Sequence, residues 1–238
     1  FALAPELDAL FVCNGLNLSA APPGGLIAAP TDTWSLDVAR GAWSLVADAG
    51  DPHPPGGGAQ ALVHDPDRNA LLLFRDRPHA GTQTWRLDLD TPNARWTALP
   101  DHPSAREVHA AGAGAAYDAR RRRVVLFATC GERLEPSRAL WAYGPDDHAW
   151  TRLADAPEAA VGPGFDYAGR HDVFLALVGS ATWIYEPATD RWRGHPATLE
   201  RGREAAWQSV TWAPAPGVFV FQGGTWDDPR WALLRYEP

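Results

Sequence analysis

Residues 114–127 read Gly-Ala-Ala-Tyr-Asp-Ala-Arg-Arg-Arg-Arg-Val-Val-Leu-Phe. They sit inside the clearest stretch of the chain. Ala110–Asp118 is small and apolar and ends in Tyr-Asp. Ala119–Arg123 is a polar turn. Val124–Phe127 is a β-branched run of the length expected for a buried strand. Further on, Glu132–Arg138 reads as a loop, Leu140–Tyr143 as a third strand, Gly144–His148 as a turn and Trp150–Leu153 as a fourth strand. The stretch therefore spells one four-stranded antiparallel sheet.

The same spelling recurs in both directions. Its third and fourth strands carry Trp141 and Trp150, and matching pairs occur at Trp34/Trp43, Trp85/Trp96 and Trp183/Trp192, spaced by 9 or 11 residues. Trp231 is expected to open a fifth pair. The second-strand slot is filled by Leu10–Cys13, Leu71–Phe74, Val173–Leu177 and Val218–Phe221. One supersecondary unit every 40–55 residues or so is the mark of a propeller or an array. Alignment on the tryptophans gives five units in one domain: 1–50, 51–103, 104–157, 158–200 and 201–238. The third-strand Trp of each is expected to pack between neighbouring sheets. No segment sustains a 3.6-residue apolar period, so helix content should be very low. The fold class expected is all-β: a β-propeller of five blades, the last incomplete.

The hairpin Ile184-Tyr185-Glu186-Pro187 runs on into a fourth strand, whereas Arg235-Tyr236-Glu237-Pro238 repeats its ending without one. Either the last blade has three strands or the sequence is a segment of a longer chain. An unpaired sheet edge is a liability, which favours the segment.

The pattern resembles the kelch repeat. The residues that carry the likeness are Ala-Ala-Tyr-Asp (115–118) before Arg-Val-Val-Leu-Phe (123–127), Gln222-Gly223-Gly224 after a second strand, and the tryptophans flanking each hairpin. The diglycine is intact only at Gly223-Gly224 and decays elsewhere to Asn14-Gly15, Cys130-Gly131 or Gly179-Ser180. The likeness implies a propeller whose binding or catalytic groups lie on the loop-rich face and the channel mouth. Iron-dependent specifier proteins of that class use Glu-x-x-x-Asp-x-x-x-His; the nearest match here, Glu186, Asp190 and His195, misses by one residue and reads as turn formers. The copper ligands of galactose-oxidase-like propellers have no counterpart.

Composition narrows the function. The 238 residues carry a net charge of -8, with 45% hydrophobic and 21% charged residues. An acidic surface lacks the basic footprint that nucleic-acid binding needs. All 21 basic residues are Arg, and Met is absent; the usage resembles that of a GC-rich bacterial genome. No run of 18 apolar residues could span a membrane. No signal peptide is visible, and the compartment is left open. Cys13 and Cys130 fall in non-adjacent units, too far apart to be expected as a disulfide.

Connections between blades and between second and third strands share one face of such a propeller. That face is expected to hold five of the eight histidines, namely His53, His79, His102, His109 and His195, together with the long loop Asn14–Asp32. None forms a tight metal motif, and no cofactor is expected. The favoured ligand-binding residues are His53, Arg106, His109, Arg203, Glu204, Trp207 and Trp226. Arg106 and His109 lie in Arg-x-x-His-Ala-Ala, where a first strand enters the channel, and Arg203 and Trp207 hold the matching slot in unit five. An Arg beside an aromatic at a channel mouth can bind a carboxylate, sugar or peptide; the competing reading is inter-blade hydrogen bonding. Arg120–Arg123 reads as a solvated turn on the opposite face, and Asp227-Asp228 as a turn before Pro229. No phosphate loop or Gly-x-Ser-x-Gly elbow occurs.

The expectation is a non-catalytic binding module that recognises a protein, peptide or glycan. The alternative is a carbohydrate-active or metal-dependent enzyme with His53, His109 and Glu204 near the channel. A third possibility is a purely architectural domain.

Overall fold

The computed structural model describes residues 1–13, 31–48, 50, 52–55, 60–77, 79–128, 135–160, 162–178, 181–198, 209–224 and 229–236. Among them, nineteen strands form five antiparallel sheets, each with its strands in chain order. Blade 1 holds β1 (Ala2–Ala4), β2 (Ala9–Cys13), β3 (Thr33–Asp37) and β4 (Ala42–Ala47). Blade 2 holds β5 (Ala61–Asp65), β6 (Ala70–Arg77), β7 (Gly81–Asp88) and β8 (Thr97–Ala98). Blade 3 holds β9 (Gly114–Asp118), β10 (Arg123–Phe127), β11 (Leu140–Tyr143) and β12 (Trp150–Arg152). Blade 4 holds β13 (Gly164–Ala168), β14 (Val173–Val178), β15 (Ala181–Glu186) and β16 (Arg191–Thr198). Blade 5 has only β17 (Ser209–Ala213), β18 (Val218–Gly224) and β19 (Pro229–Arg235). The five sheets make a β-propeller, as the repeat foretold. Helix among the described residues is limited to two 3-10 turns, Pro5–Leu7 and Pro103–Glu107.

One hairpin design is used five times. The first two strands of each blade are joined by four residues: 5–8, 66–69, 119–122, 169–172 and 214–217. The last of these four has positive φ in every blade, at Asp8, Asn69, Arg122, Asp172 and Gly217. Asn, Asp and Gly are the residues that tolerate this conformation, and Arg122 is the exception. Where Asp precedes the loop it closes the turn itself: Asp65 Oδ1 accepts from the Asp67 N–H, and Asp118 Oδ1 from the Arg121 N–H.

Because strand neighbours face opposite ways, each blade has two faces. The face toward the preceding blade carries the large residues. In blade 2 these are Leu62, Leu71, Leu73, Trp85, Leu87 and Trp96; all are buried and pack on Ala2, Ala4, Ala9, Phe11 and Ala47 of blade 1. The Trp96 indole also donates to the Thr33 hydroxyl at 2.8 Å. Blade 3 presents Trp141, Tyr143 and Trp150 to blade 2, blade 4 presents Phe165, Phe174 and Tyr185 to blade 3, and blade 5 presents Trp212, Phe219 and Phe221 to blade 4. Near the axis the inner strands nearly touch. A Cβ added to Gly164 would stand 2.6 Å from Val210 Cγ2, so this slot in blade 4 takes no side chain.

Two tryptophan expectations fail. Trp34 and Trp43 lie on the blade 1 face that points away from blade 2, with Leu3 and Leu45, and there they are 37% and 53% exposed. Trp231 lies in the third strand of blade 5 but one residue away from the slot that Trp85, Trp141 and Trp183 hold. It pairs with Gln222, whereas Ala232 and Leu234 pair with Phe221 and Phe219 on the face toward blade 4. An offset of one residue turns a side chain to the other face, and Trp231 is exposed there with Leu233. No apolar cluster of described residues joins blade 5 to blade 1.

The arginine run is solvated only in part: Arg120 and Arg122 are mostly exposed, but Arg121 and Arg123 are not, and the run is bonded to its neighbours. Arg121 bonds Asp118 within its own blade and reaches Asp172 of blade 4 through both terminal nitrogens, at 2.7 and 3.0 Å. Arg122 Nε donates to Asp67 of blade 2 at 2.9 Å, and Arg123 returns to Asp118. The run ties three consecutive blades together at their hairpin ends.

Candidate functional site

The expected face and the opposite face can be compared residue by residue. On the expected face, the 3-10 turn Pro103–Glu107 carries the chain from blade 2 into blade 3. His102 begins it, accepting from the Ser104 N–H, and Arg106 is exposed on its last turn. His109 is part-buried, with Nδ1 3.4 Å from Asp76 Oδ2. Asp76 Oδ1 is already engaged by the Ala110 N–H at 2.9 Å and the Thr82 hydroxyl at 3.2 Å. Asp76 Oδ1 thus anchors the entry of β9 onto blade 2, while His109 Nδ1 and Asp76 Oδ2 face each other without a hydrogen bond. His53 Nδ1 is 3.0 Å from the Pro54 carbonyl. His195 lies within β16, opposite Thr182. Arg203, Glu204, Trp207 and Trp226 lie outside the described residues, as do Cys130 and Asp227-Asp228. Among the described residues no group of three or more His, Cys, Asp or Glu side chains is placed to hold a metal ion. His53, Arg106 and His109 occupy separate local settings, each with a structural partner or in solvent.

A cavity lies on the axis, where the inner strands meet. It has a volume of about 250 Å³ and is lined by residues from the inner strand of every blade. The common hairpin puts those strands in one register, so the lining falls into tiers. The middle tier is Ala2, Val63, Ala116, Asp166 and Thr211. The next tier, toward the hairpins, is Leu3, His64, Tyr117, Tyr167 and Trp212. Pro5, Glu6, Pro66, Ala119 and Pro214 of the first hairpins form its rim. The cavity therefore belongs to the hairpin end, away from the loop-rich face.

Its polar groups are few and fixed. Asp166 is the one carboxylate in a tier otherwise made of Ala, Val and Thr. Its Oδ1 accepts from the Tyr167 N–H at 2.7 Å and its Oδ2 from the Trp212 N–H of blade 5 at 2.6 Å. What exposure it has is to the narrow channel, and removal from bulk water pushes its pKa up to about 6 despite the two N–H bonds. His64 Nδ1 is 2.6 Å from Glu6 Oε1, and His64 Nε2 is buried with no hydrogen-bond partner. Tyr117 and Tyr167 donate their hydroxyls to Asp67 and Asp172, which fixes the two rings at the wall.

No protein-family model and no curated protein matches this chain.

The sequence reading missed Asp166. The signal was present in Gly164-Phe-Asp-Tyr-Ala168, where a charge occupies a first-strand slot that is small, β-branched or Thr in the other units. Recognising it requires the register of all five hairpins, which tryptophan spacing does not supply.

Proposed function

We propose that this propeller is a non-catalytic binding module that takes part of its ligand into the hairpin end of the central channel. The observation behind this reading is the convergence of all five inner strands on one cavity with mostly apolar walls and a single carboxylate in its middle tier. A largely pre-formed concave site with a few convergent polar groups is the usual form of a ligand pocket. The tryptophan doublets, the Tyr117-Asp118 hairpin start and Gln222-Gly223-Gly224 support a kelch-type ancestry, and with it the expectation of a protein, peptide or glycan partner. At about 250 Å³ the cavity falls below the roughly 300–1,000 Å³ of pockets that enclose drug-sized ligands. It suits one side-chain-sized group of a larger partner, or one small molecule.

Thr211→Leu fills the cavity from blade 5 without touching the packed seams. A peptide and glycan panel screened against the wild type and this variant tests the reading. A ligand held by the wild type and lost in Thr211→Leu supports it. Equal binding by the two, or a wild type that binds nothing, overturns it.

The enzyme alternative has the Asp76–His109 pair in its favour, since a carboxylate beside an imidazole is the usual support for a general base. Against it, Asp76 is the only described polar partner of His109, and no described hydroxyl or thiol is hydrogen-bonded to that ring.

A further inference from the structure

Asp166 is the unusual group in this molecule. Among the described residues, most carboxylates of the blade hairpins have a basic partner: Asp65 has Arg68, Asp67 has Arg122, Asp118 has Arg121 and Arg123, and Asp172 has Arg120 and Arg121. Asp166 has none. Its bonds go only to two backbone N–H groups. An unpaired carboxylate in apolar surroundings is costly, and two of its four lone-pair positions are still open.

A second, independent observation comes from the neighbouring tier. Four of its five members are aromatic: His64, Tyr117, Tyr167 and Trp212. Three hold similar inward slots on packed blades, so packing explains part of this. Yet all four also line the cavity, directly between Asp166 and the hairpin rim. The rings of Tyr117, Tyr167 and Trp212, unlike the His64 imidazole, offer a negative face that attracts cations once water is excluded. A ring of aromatics leading to one carboxylate is complementary to a positive charge on a slim apolar stem. An anion would set a second negative charge beside Asp166, and a neutral sugar could donate hydroxyls to it but would leave its charge uncompensated.

Building on the channel reading, we propose that this cavity binds an alkylammonium group, its charge against Asp166 and its methylene stem along the aromatic tier. The same chemistry is carried by a free aliphatic amine and by a lysine side chain of a partner protein. The chain itself contains no Lys, so it does not offer this group from its own side chains.

The test is calorimetric titration at pH 7.5 with four probes: n-butylammonium, n-butanol of the same shape without charge, a short peptide with a free lysine, and that peptide acetylated on the lysine. Binding of n-butylammonium without n-butanol supports the proposal, provided Asp166→Asn weakens it by at least about tenfold, the weight of one charge-assisted bond. Thr211→Leu, which leaves Asp166 in place, must abolish the same binding; it keeps the test decisive where Asp166→Asn is poorly folded. Tighter binding of the lysine peptide than of its acetylated form identifies a protein partner. Binding of n-butylammonium alone identifies a free amine. Equal binding of n-butanol and n-butylammonium, or an Asp166→Asn variant with unchanged affinity, overturns the proposal. If a neutral probe binds in a Thr211-dependent way and ammonium does not, the amine is wrong and the channel reading stands. If no probe binds, the amine proposal fails, and the peptide and glycan panel decides the channel reading separately.

Affinity for the ammonium is expected to fall between pH 7.5 and pH 5, as Asp166 takes up its proton near 6. The other titratable side chains around the cavity are Tyr117, Tyr167 and the Glu6–His64 pair; none of them contributes to the Asp166 shift. The Asp166→Asn variant is expected to show less of this pH dependence.

Discussion

Blade 1 and blade 2 carry the same face and meet different surroundings. Trp34, Leu36 and Trp43 of blade 1 occupy the positions that Trp85, Leu87 and Trp96 occupy in blade 2. In blade 2 the three side chains are 7%, 0% and 1% exposed and rest on blade 1; in blade 1 Trp34 and Trp43 are 37% and 53% exposed. The strand pattern is nearly identical. What differs is whether a preceding blade lies against it. The tryptophan doublet therefore encodes a surface made to be covered. Burial comes from the neighbour and not from the sheet itself. An exposed apolar patch of this kind is uncommon on a free-standing surface.

The sharpest way to break this comparison is to truncate the equivalent tryptophans. Trp96→Ala removes a fully buried indole and one hydrogen bond of the buried Thr33 hydroxyl, which keeps its bond to Cys13. A loss of about 3–5 kcal/mol is expected in chemical denaturation. Trp43→Ala is expected to cost less than about 1 kcal/mol, as for a surface position. Similar losses at the two sites would mean that the blade 1 face is covered in solution.

A smaller effect is expected at the hairpin ends. Arg121→Gln removes both bonds to Asp172, leaving that part-buried carboxylate with one arginine at 3.7 Å. A loss of about 1–3 kcal/mol is expected at pH 7. Asp172 is held below the usual carboxylate range, first by its bond to Arg121. Its stabilising contribution is thus fully present above the ordinary carboxylate pKa and lost as pH falls through its depressed value. Acid unfolding curves of Arg121→Gln should show a correspondingly weaker decline.

Asp166 has the opposite sign. Its folded pKa is raised to about 6 from 3.8, so the folded state holds an extra proton between those values. Stability from this group rises as pH is lowered from 7 to 4. The wild type should gain on Asp166→Asn over that interval, by up to about 2–3 kcal/mol. A constant difference between the two proteins from pH 7 to pH 4 would show that the carboxylate is well solvated.

How much of this was legible in the sequence follows from what each signal encodes. Apolar runs and turn residues are local, so Leu140–Tyr143 was placed without error and β10, β14 and β18 were found within a few residues. The faces of the sheets are not local. Trp231 looked like the next member of the series by spacing, and only its pairing with Gln222 shows that it points the other way. The arginine run looked solvated because its partners, Asp67 and Asp172, are some fifty residues away on either side. Asp166 was overlooked because a single Asp between Phe and Tyr resembles any exposed strand residue until five strands are set in register. A count of histidines and arginines points to the loop-rich face, because such residues collect in loops. The cavity is built from inner-strand residues, among them Tyr117, Asp166, Tyr167 and Trp212, which such counting passes over.

The sheets stand side by side around an axis, each covering the large-residue face of the next, and among the described residues no blade covers that face of blade 1. Oxidative footprinting of single tryptophans by mass spectrometry tests it most directly. Rapid labelling of Trp34, Trp43 and Trp231, with protection of Trp85, Trp96, Trp141, Trp150 and Trp212, is the expected result. Labelling that fails to divide the tryptophans along this line, with Trp43 as protected as Trp96 or Trp96 as reactive as Trp43, would contradict it.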